Sequence, residues 1–141
     1  MSAAERLVLR GPAGYGEAIE GEALVSSEGF SARYDLDHTT GVISREAHEL
    51  YGQSLVGKVL VVSTAKGGTA TGWRLFDLIA RGTAPAALVF RATNPVMVQG
   101  AVMAGIAIMH RLEPDPVHAI ASGDWLRLRP AEGEIDVERR A

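Results

Sequence analysis

The stretch Ser63-Thr64-Ala65-Lys66-Gly67-Gly68-Thr69-Ala70-Thr71 gathers four hydroxyls, one cation and a glycine pair. A hydroxyl can hold a ligand, cap a helix or move a proton, and an ammonium attracts a carboxylate or phosphate. The glycine pair allows backbone conformations and close approaches that a Cβ would forbid. If such a turn opens a helix, its unpaired amides add partial positive charge, and an anion is the natural guest.

The flanks supply that setting. Val59-Leu60-Val61-Val62 is a continuous β-branched and leucine run, as in a strand covered on both faces. Leu75, Leu78 and Ile79 then repeat at helical spacing, and Arg81-Gly82 is a normal helix ending. Pro85 introduces a second buried strand over Ala86-Ala87-Leu88-Val89-Phe90, so strand, helix and strand make one right-handed βαβ unit. Thr93-Asn94-Pro95 is a second helix start. The helix it opens is predicted to run from Pro95 to Met109, apolar nearly all round, and therefore to be buried in this domain or against another chain. Its methionines Met97, Met103 and Met109 read as core filling.

Other segments are less telling. Leu7-Val8-Leu9 reads as a short strand before a glycine-rich turn, and Glu20 to Val25 as another strand. Phe30 and Tyr34 are expected to pack into the core beneath the neighbouring segments. Asp35-Leu36-Asp37-His38 has metal-ligating types but the layout of an ordinary turn before Gly41. His48 reads as a surface or packing residue. Residues Leu50 to Lys58 form a loop that dips apolar side chains inward. Ala119-Ile120, Trp125 to Arg129 and Gly133 to Val137 suggest closing strands.

Composition narrows the classes. The 141 residues make one domain with a proper core, and 47% hydrophobic with 22% charged residues is ordinary for a globular protein. A net charge of −3 with scattered basic residues gives no footprint for nucleic acid. No apolar run approaches the roughly 18 residues of a membrane span. The start lacks the layout of a secretion signal, so the cytoplasm is the expected location. With no cysteine, this chain itself forms no disulfide, uses no thiolate and ligates no iron–sulfur cluster. Lys66 precedes the glycine pair, so the loop is not a P-loop, and no Gly-x-Ser-x-Gly elbow is present.

The chain resembles the swivel domain of the aconitase X group, which includes the small subunit of phosphomevalonate dehydratase and part of bacterial hydroxyproline dehydratases. The resemblance runs from about Gly21 to Val137. It rests on Gly21-Glu22-Ala23-Leu24-Val25, Phe30-Ser31, Asp35 to Gly41, His48 to Lys58, the Lys66 to Gly72 loop, Asn94-Pro95 and Gly123-Asp124-Trp125-Leu126. It implies an α/β fold, a single swivelling β/β/α domain with a barrel-like mixed sheet and a few helices. Residues 1–20 would form an N-terminal strand and flexible turn, residues 21–137 the swivel domain, and residues 138–141 a frayed tail. The resemblance further implies a hydro-lyase active only with a large subunit, whose iron–sulfur or iron centre joins in dehydrating a small anionic hydroxy acid. In that family a loop serine is thought to move the proton. Its position falls on Gly68 here, beside Thr69.

The expected catalytic residues are therefore Thr69 and Ser63, with Lys66, Gly67, Gly68 and Thr71 binding substrate and no metal on this chain. Two other readings stand beside this one. A phosphohistidine-type swivel domain is similar in its Gly-Gly loop, but Gly72-Trp73 follows where its histidine would stand. A non-catalytic ligand-binding or regulatory module would account for the missing loop serine.

Overall fold

Four consecutive residues, Val59 to Val62, are fully buried, and the sheet is built outward from them. In the computed structural model, which describes residues 6–66 and 70–140 apart from the side chains of Ala70 and Thr71, they belong to β5 (Val59–Thr64). A strand apolar on both sides needs a layer on each face. Leu60 and Val62 meet Leu75 and Leu78 of α1 (Ala70–Arg81) and Met97 and Ala101 of α2 (Pro95–Ala104). Phe30, Leu36, Ile43, Leu50 and Leu55 complete that layer. Val59 and Val61 face the other way, against strands that curl beneath.

Those strands are β1 (Arg6–Arg10), β8 (Trp125–Arg129) and β9 (Glu134–Glu138). With β2 (Ile19–Val25), β6 (Ala87–Ala92) and β7 (Ala107–His110) they make one seven-stranded mixed sheet ordered β1-β9-β8-β2-β5-β6-β7. The pairs β2-β5, β5-β6 and β6-β7 are parallel; the rest are antiparallel. Arg10 exchanges backbone bonds with Glu113 at 2.9 and 2.8 Å, and Tyr15 with Ile108 at 3.0 and 2.9 Å. These bridges draw the two edges together, giving the barrel-like mixed sheet that the resemblance implied. A small hairpin of β3 (Leu36–Asp37) and β4 (Val42–Ile43) lies on the helix side, and α3 (Pro116–Ala119) follows β7.

Four expectations need correction. The second helix stops at Ala104, not Met109: Gly105 turns left-handed at φ 75°, and Ala107–His110 becomes a strand parallel to β6. An unbroken apolar run fits a buried helix and a buried strand equally, and the glycine was the signal that separates them. Ala119 ends a short helix, capped by Asp115 ahead of Pro116, and opens no strand. Tyr34, expected beneath the core, is 66% exposed, whereas Phe30 is buried. Of the methionines, Met97 and Met109 fill the core and Met103 does not.

Leu126, Leu128, Ile135 and Val137 point inward, leaving Arg127, Arg129, Glu134, Asp136 and Glu138 outside as a cross-strand charge ladder. Hydrogen bonds from Arg10 and Arg129 hold Glu134 below the usual carboxylate range; Arg129 does the same for Asp136 and Arg127 for Glu138. A carboxylate whose folded pKa lies below its unfolded value adds stability above the unfolded pKa and loses it as pH falls through the folded one. The melting temperature is expected to hold from neutrality to about pH 5 and decline below about pH 4. Arg129→Ala should lower it at pH 7 and flatten the acid decline; an unchanged profile would show that the ladder is inert.

Candidate functional site

The parallel strands β5 and β6 both end at one edge, and α1 and α2 both begin there, the usual place for a ligand in a parallel sheet. Neither helix has an acidic residue in its first turn, so neither neutralises its own positive end. Asn94 caps α2 by accepting from Met97 N at 2.8 Å, and its Nδ2 donates to Ala65 O at 3.3 Å. That side chain ties the start of α2 to the exit of β5.

The segment before β3 runs beside this exit. Ser63 N donates to Glu28 O at 3.0 Å, Phe30 N to Thr64 O at 2.9 Å and Lys66 N to Phe30 O at 2.9 Å. Gly29 is thereby pressed under the loop: a Cβ there would stand 2.8 Å from Thr64 Oγ1 and 3.2 Å from Lys66 Cε. A side chain at this position would require the Thr64 hydroxyl to turn away and the lysine to give by a few tenths of an ångström.

Asp35, 1% exposed, is the hub beneath Lys66. Its Oδ2 accepts from Ser31 N at 2.8 Å and lies 3.9 Å from Lys66 Nζ, while Oδ1 accepts from Arg45 Nε. Arg45 also reaches Glu28 Oε1 at 3.6 Å. At 3.9 Å the Lys66 ammonium is attracted to Asp35 but not hydrogen-bonded, and its side chain is 46% exposed. Its three donors make no hydrogen bond to a described residue. His48 is buried below: Leu50 N donates to Nδ1 at 3.0 Å, which fixes the tautomer, so Nε2–H donates to Gly29 O at 2.9 Å. His48 is a packing residue that props up Gly29. Ser26 and Ser27 hold the Glu49 carboxyl below its usual range, with the Ser26 hydroxyl the larger cause, which secures the same segment.

Of the expected site residues, Lys66 alone is both described and placed at this edge. Lys66 stands at the strand exit, and α1 begins within one turn of it. Gly67, Gly68 and Thr69 lie outside the described residues, as does the side chain of Thr71. Ser63 is 8% exposed and alternates with Val59 and Val61, on the sheet face away from α1 and α2. Asp35, Asp37 and His38 do not converge. Asp35 serves the two cations, Asp37 accepts from Thr39 N at 2.9 Å, and His38 Nε2 bonds Ala32 O at 2.7 Å. Among the described residues no three His, Cys, Asp or Glu side chains are placed to hold a metal ion, so an iron centre does not fit them.

Arg45 and Gly29 were missed by sequence reading. No short-range spacing rule joins positions 29, 35, 45 and 66, and the only hint was that Asp35 and His48 fell within the stretches that carried the resemblance.

Fold and edge together define an α/β domain of the swivel type, with one cationic rim at the carboxyl ends of its parallel strands. A family model described as the aconitase X swivel domain matches residues 8–137, and the chain belongs to that family. The phosphomevalonate dehydratase small subunit of Methanopyrus kandleri is 39% identical over 121 residues, covering 86% of this chain and 89% of that protein. Its counterpart in Methanosarcina acetivorans is 34% identical, covering 84% and 82%. The crystal structure of Thermococcus kodakaraensis aconitase X in its holo form superposes with a TM-score of 0.88 at 26% identity, over 94% of this chain and 99% of that one.

Proposed function

We propose that this chain is the small, swivelling subunit of an aconitase-X-type hydro-lyase, which dehydrates a small anionic hydroxy acid together with a larger subunit. The observation that carries this reading is the near end-to-end match to proteins named as small subunits of a dehydratase. The half-exposed Lys66 ammonium at the edge of β5, which makes no hydrogen bond to a described residue, supports the anionic substrate. The same proposal puts the iron–sulfur or iron centre on the large subunit, because no described cluster here suits a metal and the chain has no cysteine. It takes the enzyme to be cytoplasmic, with neither nucleic acid nor membrane as a partner. No helix among the described residues is long and apolar enough to cross a bilayer.

Dehydration removes a proton from one carbon and hydroxide from its neighbour, leaving a double bond and water. In this proposal hydroxide departure belongs to the large subunit, whose centre would supply a Lewis acid. This chain binds and deprotonates. Lys66 donates to a substrate carboxylate or phosphate, aided by the amides of Gly67, Gly68 and the first turn with Thr71. In this proposal the Thr69 hydroxyl first gives its proton to solvent, Lys66 and the positive end of α1 favour the resulting alkoxide, and that alkoxide takes the carbon-bound proton on Oγ1 to become the hydroxyl again. The role falls on Thr69 before Ser63, because Ser63 faces away from the helices. A swivelling lid would exclude water while the proton moves.

Mixing the chain with an aconitase-X-type large subunit from the same genome is expected to create dehydratase activity absent from either alone. Lys66→Ala in the assembled enzyme should raise KM by about 10- to 100-fold, the value of a lost charge-assisted hydrogen bond, with a smaller effect on kcat. Neither complex nor activity with any candidate large subunit would overturn the reading.

A further inference from the structure

Successive residues of a strand face opposite sides, so the polar residues at the end of β5 divide by parity. Ser63 follows Val59 and Val61 toward the strands beneath. Thr64 follows Leu60 and Val62 toward the layer where α1 and α2 begin. The extended pairing runs one step further, since Phe30 N donates to Thr64 O and Lys66 N to Phe30 O, both at 2.9 Å, with Ala65 bridged to Phe30. Thr64 and Lys66 therefore emerge on one face. The distances agree, because the point that a Cβ on Gly29 would occupy lies 2.8 Å from Thr64 Oγ1 and 3.2 Å from Lys66 Cε. A hydroxyl and the root of an ammonium thus border the same spot. Both residues are exposed, whereas Ser63 is buried.

The two groups do different work. An ammonium supplies charge with little direction from the end of a flexible stem, and Asp35 at 3.9 Å only leans it toward one side. A threonine side chain is β-branched and has few rotamers, so its hydroxyl is one directed donor. An anionic group such as a carboxylate or phosphate carries at least two acceptor oxygens and can take both donors at once.

We propose that Thr64 is a second substrate-binding residue, donating from Oγ1 to one oxygen of the anionic group while Lys66 holds another; the inference rests on the dehydratase reading above. The lysine draws the substrate to the edge, and the threonine fixes how its anionic end is turned. Carboxylate and phosphate share this chemistry, and the test separates them.

The test is made on the assembled enzyme with Thr64→Val, which keeps the branched shape and strand preference and removes the donor. KM is expected to rise about 10-fold, as for one lost hydrogen bond to a charged group, with kcat within about twofold of wild type and an unchanged melting curve. Thr64→Ser returns the hydroxyl and should bring KM back to within about threefold of wild type. Acetate and inorganic phosphate, used as competitive inhibitors, name the group: Thr64→Val should weaken inhibition by whichever of them Thr64 grips. Combined with Lys66→Ala, the substitution should raise KM by less than the product of the single effects, because both side chains hold one group. Thr64→Ala serves for every measurement if the valine variant fails to fold. Wild-type KM and wild-type inhibition by both anions in an active Thr64→Val complex would overturn this inference and leave the dehydratase reading intact. So would a loss of kcat at unchanged KM, which would make Thr64 the proton acceptor in place of Thr69. Fully multiplicative effects in the double variant would put the two residues on different groups and also overturn the shared contact. An unmodified chain that activates no large subunit would instead defeat the dehydratase reading, and this inference with it.

Discussion

Alanine at position 69 is expected to lower kcat of the assembled enzyme by about 10²- to 10⁴-fold, the usual worth of a positioned general base. KM should change far less, because substrate charge is held by Lys66 and by amides. Thr69→Ser keeps a hydroxyl where the family's loop has one beside it, and should retain most of the turnover. The readout that separates proton transfer from mere loop packing is a substrate deuterated at the carbon that loses its proton: residual turnover of Thr69→Ala should show a larger isotope effect than wild type. A Thr69→Ala enzyme with wild-type kcat would remove this hydroxyl from the mechanism and pass attention to Thr71 and Ser63, tested by the same assay.

The second large effect concerns stability. Asp35→Ala deletes the acceptor of the Ser31 amide and the carboxylate that holds Arg45, in a site closed to water on the aspartate side. Breaking a buried pair from one side costs about 3–5 kcal/mol, discounted here because Arg45 is one-third exposed; about 2–4 kcal/mol is expected in urea unfolding of the isolated chain. Asp35→Asn preserves an acceptor for Ser31 N and should cost less. Loss of under about 1 kcal/mol for the alanine variant would mean the cluster merely decorates the surface. Because Lys66 leans toward the same carboxylate, both variants should also raise KM in the assembled enzyme.

Much of the fold was legible because local patterns and global packing agreed. The run Val59 to Val62, the helical spacing of Leu75 and Leu78 and the Asn94-Pro95 cap each lead to the element observed. The stretch after Ala104 was misread because an apolar sequence records burial, not backbone geometry, and only Gly105 carried the difference. The site was legible in one half. Lys66 announces itself beside a glycine pair, whereas the Asp35–Arg45 support depends on a fold that brings together segments with no common period. Asp35 drew notice as a metal-ligating type and His48 as a surface or packing residue; the structure uses both for positioning.

The meeting of Gly72 and Gly100 has one more consequence. A Cβ at Gly100 would stand 2.7 Å from the Gly72 Cα, so the helices touch backbone to backbone at the first turn of α1. Nothing compressible separates them, and Asn94 ties the start of α2 to the exit of β5. A displacement of α2 is therefore expected to move the first turn of α1 with it, with no side chain between them to absorb it.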